Sequence, residues 1–111
     1  MAWIEVHQGL RTHPKVRKLA KALDCDRNQA IGILTCLWLW AVDHKGKVDG
    51  CASEDISDAC LWRGDSDQLV TSLKKTGWID KNGEIHDWSQ YGDKLLRKSR
   101  DRQAKYRKDN E

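Results

Sequence analysis

The sequence predicts a mainly α-helical domain that carries a small β-hairpin, and three observations lead to this prediction. Leu69, Val70 and Leu73 recur at the spacing of an amphipathic helix. Gly77 follows them, and glycine commonly ends helices because it adopts a left-handed backbone without strain. Two short apolar segments then flank an Asn-Gly pair at positions 82 and 83, which favours a hairpin turn because both central residues need positive φ. A short helix followed directly by a hairpin is typical of a winged helix-turn-helix, which most often binds nucleic acid and sometimes binds only protein.

The length of 111 residues fits one domain, residues 1–88, followed by an appendage, residues 89–111. Residues 1–88 carry 12 Lys and Arg against 13 Asp and Glu, a sum of −1, and residues 89–111 carry 8 against 4, a sum of +4, which gives the net +3. This basic tail is predicted to be helical and suits either phosphate binding or simple solvation. Phe is absent and Trp occurs six times, so most Trp side chains are expected in the core or at its edge.

The first helix is predicted to begin near Pro14, after a short strand or extended arm at Trp3–His7. Thr12 or His13 can cap the helix, and Pro14 suits its first turn, where a missing N–H is harmless. An apolar stripe at i, i+3, i+4 and i+7 is formed by Val16, Leu19, Ala20 and Leu23. The remaining face is basic and comprises Lys15, Arg17, Lys18 and Lys21, with Arg11 just before it. These cations either solvate an outer face or make auxiliary contacts to phosphate.

A second helix is predicted to start at Asp24 or Asp26 and to run to about Asp43. Its apolar residues cover most of its circumference, which is the pattern of a buried helix. Complete burial is difficult in so small a monomer, so part of the surface between Ile31 and Trp40 is expected to meet another chain or the tail. Gly32 would let a neighbouring helix approach closely.

Two further helices form the predicted helix-turn-helix. Ser53, followed by two acidic residues, marks the start of the first of them. Asp65 or Ser66 caps the second, which runs from Asp67 to about Thr76 and would be the recognition helix.

The base of the predicted hairpin carries apolar residues on both faces. With a two-residue loop at positions 82 and 83, Ile79 lies opposite His86. Trp78 and Ile85 then share one face, and Ile79 and Trp88 share the other. This pattern indicates that the base of the hairpin packs on the body of the domain.

Nothing in the sequence has the pattern of an enzyme, a metal site or a membrane protein. The four His residues lack ligand spacing, and His86-Asp87 is better explained as an exposed pair on the wing than as a catalytic pair. The four Cys residues contain no Cys-x-x-Cys pair, so we expect reduced thiols and no zinc. The longest nearly apolar run, Ala30–Val42, is too short to span a bilayer, and the N-terminus lacks the pattern of a secretory signal. We therefore predict a cytoplasmic protein that is not an enzyme and binds no cofactor.

The predicted recognition helix and hairpin supply most of a DNA-binding surface. Gln68 and Thr71 can hydrogen-bond base edges, while Lys74 and Lys75 suit phosphates. Further contacts are predicted from the wing tip and the tail, at Lys81, Asn82, Arg97, Lys98, Arg100, Arg102, Lys105 and Arg107. Two carboxylates, at positions 65 and 67, lie at the helix start, the end that usually enters the major groove. Strong sequence-specific recognition is therefore not expected. Either the two carboxylates cap the helix, or recognition uses the later turns of the helix.

Several stretches resemble the N-terminal region of phage and prophage replication-initiation proteins, also called replisome organisers and related to DnaD-like primosomal proteins. They are Trp3–Gln8, Lys15–Leu23, the run Gly32-Ile33-Leu34-x-x-Leu37-Trp38, Gly77–Ile79 with Ile85–Trp88, and the basic run Lys98–Arg107. The resemblance implies a winged-helix domain that binds origin DNA or self-associates during primosome assembly, with replisome proteins as partners. Members usually continue into a C-terminal domain that engages helicase or its loader. The resemblance does not extend to that domain, so helicase loading is not carried over to these residues.

The predicted function is thus that of a DNA-binding winged-helix module of a phage-type replication-initiation protein. Two alternatives stay open at this point. One is a module that self-associates through the Ile31–Trp40 helix without binding DNA. The other is a winged-helix transcriptional regulator.

Overall fold

Four α-helices and one short 3₁₀ helix make up most of the computed structural model, which describes residues 4, 6 and 8–88. In chain order they are the 3₁₀ helix at Gln8–Thr12, α1 at Pro14–Leu23, α2 at Arg27–Val42, α3 at Ser53–Ala59 and α4 at Ser66–Lys75. The predicted mainly helical class is confirmed. No β-strand is found among the described residues, so the predicted wing is not formed there as a pair of strands. Most of the Trp3–His7 segment and all of the tail, residues 89–111, lie outside the described residues.

Helix α1 begins and ends at residues that suit its termini. The Nδ1 atom of His13 accepts a hydrogen bond from the backbone N–H of Lys15 at 3.1 Å, so His13 is the N-cap and Thr12 is not. The predicted apolar stripe is buried, at Val16, Leu19, Ala20 and Leu23. Asp24 closes the helix in the left-handed conformation, with a φ of 51°.

Helix α2 packs against both α1 and α3. Asp26 caps it, because its Oδ1 accepts a hydrogen bond from the backbone N–H of Gln29 at 2.7 Å. One side is buried, at Ala30, Ile33, Leu34, Leu37 and Ala41. Gly32 and Leu39 are exposed on the other side, so the described residues leave part of this helix uncovered, as predicted.

Helices α3 and α4 pack against each other and form the predicted helix pair. Helix α3 begins at Ser53 as expected, but its N-cap is Ala52 and no side chain caps it. Leu69 and Leu73 of α4 are fully buried. Gly77 follows α4 with a φ of 84°, which confirms the predicted left-handed residue after this helix.

The segment after α4 folds into a tight turn with a register that differs from the prediction. An isolated antiparallel bridge joins Ile79 to Ile85, so Ile79 does not lie opposite His86. The loop therefore consists of residues 81–83 and is one residue longer than the predicted two-residue loop. Gly83 takes the left-handed conformation, with a φ of 81°, and becomes the third residue of the loop.

Tryptophan occupies the core and its edge, as predicted. Trp78 is buried, with 8% of its surface exposed. The other described Trp residues, Trp38, Trp40, Trp62 and Trp88, are partly buried and pack against the core. The rings of Trp38 and Trp78 have centroids 6.0 Å apart, and this contact joins α2 to the residue that follows Gly77.

Candidate nucleic-acid interface

One face of α4 carries exposed polar side chains. Gln68, Thr71, Lys74 and Lys75 are all exposed, and so is Asp67. At about 100° per residue, these five positions fall within an arc of about 120°. The structure thus brings the four predicted α4 contacts together on one surface, with one carboxylate beside them.

The backbone N–H groups at the N-terminus of α4 already have a carboxylate of the chain as their hydrogen-bond acceptor. The Oδ1 atom of Asp65 accepts hydrogen bonds from the backbone N–H groups of Asp67 and Gln68, at 2.8 and 3.1 Å. Such N–H groups would otherwise be available to hold a phosphate at the helix N-terminus. Of the two roles predicted for the acidic start, capping is the one that Asp65 takes. Contacts to phosphate along this helix must therefore come from its later turns.

Lys81 and Asn82 are exposed at the tip of the turn after α4. The turn is fixed by a hydrogen bond from the Gly83 N–H to the Asp80 carbonyl at 3.0 Å. The Oδ1 atom of Asn82 accepts a hydrogen bond from the backbone N–H of Glu84 at 3.1 Å, so Asn82 has a local structural role. Lys81 is the stronger candidate contact of the two. The predicted tail contacts Arg97, Lys98, Arg100, Arg102, Lys105 and Arg107 lie outside the described residues.

Lys15 joins α1 to the end of α4, a role that the sequence pattern missed. Its Nζ donates a hydrogen bond to the Gly77 carbonyl at 2.8 Å and lies 4.6 Å from the centre of the Trp78 ring. The Trp78 Nε1 donates back to the Lys15 carbonyl at 3.3 Å. Burial lowers the pKa of Lys15, while Asp87 and Asp80 act in the opposite direction. These contacts differ from both alternatives that the sequence left open for the basic face of α1, solvation and phosphate contact.

Charge is unevenly distributed over the described residues. Residues 8–27 hold six Lys and Arg against two Asp, a sum of +4, while residues 49–67 hold six Asp and Glu against one Arg, a sum of −5. The acidic segment covers α3 and the first turn of α4. Attraction to phosphate on the α4 face therefore depends on Lys74 and Lys75, which come after this segment.

His86 lies between two carboxylates at the surface. Its Nδ1 is 2.9 Å from Oδ1 of Asp80, and its Nε2 is 3.4 Å from Oδ2 of Asp87. All three side chains are between 43% and 47% exposed. The exposed position predicted for His86 is thus confirmed, and the contact to Asp80 spans the turn.

The cysteines are free thiols, as predicted. Cys60 is buried, and burial raises its pKa to about 12, which keeps it protonated and unreactive at neutral pH. In the described part of the chain, no three His, Cys, Asp or Glu side chains are grouped so that they could hold a metal ion. None of the helices described is both long enough and apolar enough to cross a membrane.

Comparison with known proteins identifies no relative of this chain. No protein-family model matches the sequence, and no curated protein or solved structure is significantly similar to it. The resemblance to replication-initiation proteins therefore stays a prediction, and a function has to be argued from the surfaces described above.

Proposed function

We propose that this protein is a DNA-binding winged-helix module of a phage-type replication-initiation protein. The observation that carries the proposal is the exposed polar face of α4, the second helix of a helix-turn-helix pair. In this proposal Gln68 and Thr71 hydrogen-bond base edges, and Lys74 and Lys75 bind phosphates. The motif-level resemblance supports the replication role, a cytoplasmic location and replisome proteins as further partners.

The turn after α4 serves as the wing. Single bridges join Ile79 to Ile85 and Lys47 to Glu84, so the segment that follows the turn lies between the α4 exit and the segment after α2. In this proposal the wing is a turn held by these single bridges and not a two-stranded sheet. Lys81 at the tip then reaches a phosphate beside the groove that α4 occupies.

The charge pattern of α4 predicts weak sequence specificity. The N-terminal turn of a recognition helix usually provides the base contacts, but here Asp65 occupies the cap and Asp67 is exposed beside Gln68. Phosphate attraction is concentrated at the other end, on Lys74 and Lys75. Binding that is dominated by phosphates is strongly dependent on salt.

The proposal is tested by the salt dependence of duplex DNA binding. If the full chain contacts about four or five phosphates, the slope of log affinity against log salt should be roughly −4. Lys74→Ala/Lys75→Ala should weaken binding and make the slope shallower by about one to two units. Fluorescence anisotropy with a labelled duplex over a salt series measures both quantities.

The matched control is Lys18→Ala/Lys21→Ala, which removes two exposed Lys residues from α1 and should leave the slope unchanged. Absence of binding at low salt would refute DNA binding. A slope that responds to the α1 pair and not to the α4 pair would move the interface away from α4.

Asp65→Asn separates the capping role of this carboxylate from its charge. Asparagine caps helices about as well as aspartate, so the free energy of unfolding should hardly change. Loss of one negative charge beside the α4 surface should strengthen DNA binding at low salt by about two- to fivefold. Asp65→Ala is the control, and it should destabilise the protein by about 1 kcal/mol because both hydrogen bonds are lost. Unchanged or weaker DNA binding by Asp65→Asn would mean that DNA does not approach this end of α4.

A second candidate function is self-association through the uncovered stripe of α2. Leu39 is 46% exposed, and a methyl group added at Gly32 would have no atom within 4 Å. The predicted Ile31–Trp40 surface is smaller than expected, because Trp38 contacts Trp78 and Trp40 stacks on His44 with ring centroids 4.0 Å apart.

Gly32→Ala distinguishes an α2 stripe that is exposed to solvent from one that forms an interface between two copies of the chain. In a helix that is exposed at this position, alanine should raise the free energy of unfolding of the monomer by about 0.5–1 kcal/mol. If a second α2 helix crosses at Gly32, the same change should instead weaken association by blocking the close approach. Thermal melts and sedimentation velocity, each over a range of protein concentrations, measure the two effects.

A further inference from the structure

We propose that the outer face of α1 binds the outer face of α3 in a second copy of this chain, so that copies associate head to tail. The α1 face consists of Arg17, Lys18 and Lys21, all exposed. It belongs to the segment that carries a charge of +4. This inference does not depend on DNA binding.

The α3 face has the opposite charge and the same spacing. Glu54, Asp55 and Asp58 are exposed at positions i, i+1 and i+4 of α3, and the α1 residues also occupy i, i+1 and i+4. At a rise of 1.5 Å per residue each set spans about 6 Å along its helix. The two faces therefore match in length as well as in sign.

Neither face finds its counter-charges among the residues that the structure describes. The ion pairs formed among the described residues join His86 to Asp80 and Asp87, and no Lys or Arg takes part in one. The described residues carry equal numbers of basic and acidic side chains, 12 of each. Their separation into a basic and an acidic surface thus leaves complementary charges for another copy.

Leu61 gives the α3 face an apolar contact point. It lies three residues after Asp58, and 76% of its surface is exposed. Its backbone is left-handed, with a φ of 57°, a conformation that non-glycine residues adopt at a cost. The chain just after α3 thereby presents a leucine to solvent, and the Leu61 N–H donates a hydrogen bond to the Asp58 carbonyl at 3.1 Å.

The charges also determine how copies can be arranged. Two α1 faces repel each other, and so do two α3 faces, so the contact must join different surfaces. Such a contact forms a ring if the rotation closes and an open chain if it does not. One helix face on another buries less than the roughly 1,200 Å² of a stable interface, so the association should be weak and should disappear as salt rises.

The test uses two charge reversals in the full chain, Lys18→Glu/Lys21→Glu and Asp55→Lys/Asp58→Lys. Sedimentation velocity at low ionic strength should find the parent associated beyond the dimer and each variant monomeric. An equimolar mixture of the two variants should associate again, because the intact α1 and α3 faces are complementary and so are the two reversed faces. Circular dichroism verifies that both variants are folded.

Two matched variants identify the surfaces. Leu61→Ser should weaken association at least about threefold, while Leu39→Glu on α2 should leave it unchanged. A parent that stays monomeric at low salt, or a mixture that does not associate, would refute the proposal. If Leu39→Glu abolishes association, the interface is the α2 stripe. If the parent is monomeric and Lys18→Glu/Lys21→Glu reduces DNA affinity instead, the α1 face is a nucleic-acid surface and the proposal is wrong.

Discussion

Replacing Leu73 with alanine is expected to lower the free energy of unfolding by about 2–5 kcal/mol. Leu73 is fully buried, so the change removes apolar contacts and leaves a cavity. The backbone carbonyl of Leu73 also accepts hydrogen bonds from the N–H groups of Trp78 and Ile79, at 2.9 and 3.2 Å. A loss of packing at this point therefore also loosens the start of the turn after α4. Urea denaturation followed by Trp fluorescence measures the effect.

The control for Leu73 lies next to it in the sequence. Lys74→Ala/Lys75→Ala changes two exposed residues and should alter the free energy of unfolding by less than about 0.5 kcal/mol per residue. The same pair is expected to change DNA binding, so the two experiments separate the inner from the outer face of α4. A Leu73→Ala loss below about 1 kcal/mol would contradict the buried position of this side chain.

The helices were predictable because their signals are local. The i, i+3, i+4 and i+7 stripe of Val16, Leu19, Ala20 and Leu23 was visible without any knowledge of what covers it. Asp26, Asp65 and Gly77 mark helix ends through hydrogen bonds to neighbouring backbone groups or through one left-handed residue. These interactions join residues within one or two helical turns, so the interacting residues can be recognised from a short stretch of sequence.

The details that could not be predicted depend on residues far apart in the sequence. The sequence pattern placed Lys15 on the basic face of α1 and left open whether that face is solvated or contacts phosphate, whereas the partner of Lys15, Gly77, lies 62 residues away. The predicted register of the turn was wrong because the left-handed conformation, which was expected for both residues of the Asn-Gly pair, is taken by Gly83 alone. Contact with the Lys47–Val48 segment, through the hydrogen bond from the Val48 N–H to the Gly83 carbonyl at 2.7 Å, then holds this geometry.

The candidate site was predictable in its position and only partly in its electrostatics. Exposure of Gln68, Thr71, Lys74 and Lys75 follows from the helical spacing of Leu69 and Leu73 alone. The capping role of Asp65 was one of two open possibilities, because the choice between Asp65 and Ser66 requires the helix start to be fixed within one residue. The charges of α1 and α3 can be counted in the sequence, whereas the exposure of these charged side chains on both helices is seen only in the structure.

Gly46 is a position where the fold has no room for a side chain. Its backbone is left-handed, with a φ of 76°. Its N–H donates to the Ala41 carbonyl at 2.9 Å, and its own carbonyl accepts from the Ile85 N–H at 2.8 Å, so the backbone is fixed on both sides. The Trp88 indole lies directly against its Cα, where an added methyl group would overlap the ring.

Gly46→Ala is accordingly expected to lower the free energy of unfolding by about 3 kcal/mol or more, from backbone strain and displacement of the Trp88 ring. Urea denaturation measures this, and Gly50→Ala is the matched control, since Gly50 has open space around it and lacks a positive φ. The double variant Gly46→Ala/Trp88→Ala should be less destabilised than the sum of the single changes, because removal of the indole relieves the overlap. The Trp88 Nε1 is buried without a hydrogen-bond partner among the described residues, so its removal breaks no such bond. An additive double variant, or a Gly46→Ala variant as stable as Gly50→Ala, would mean that Trp88 does not pack against this turn.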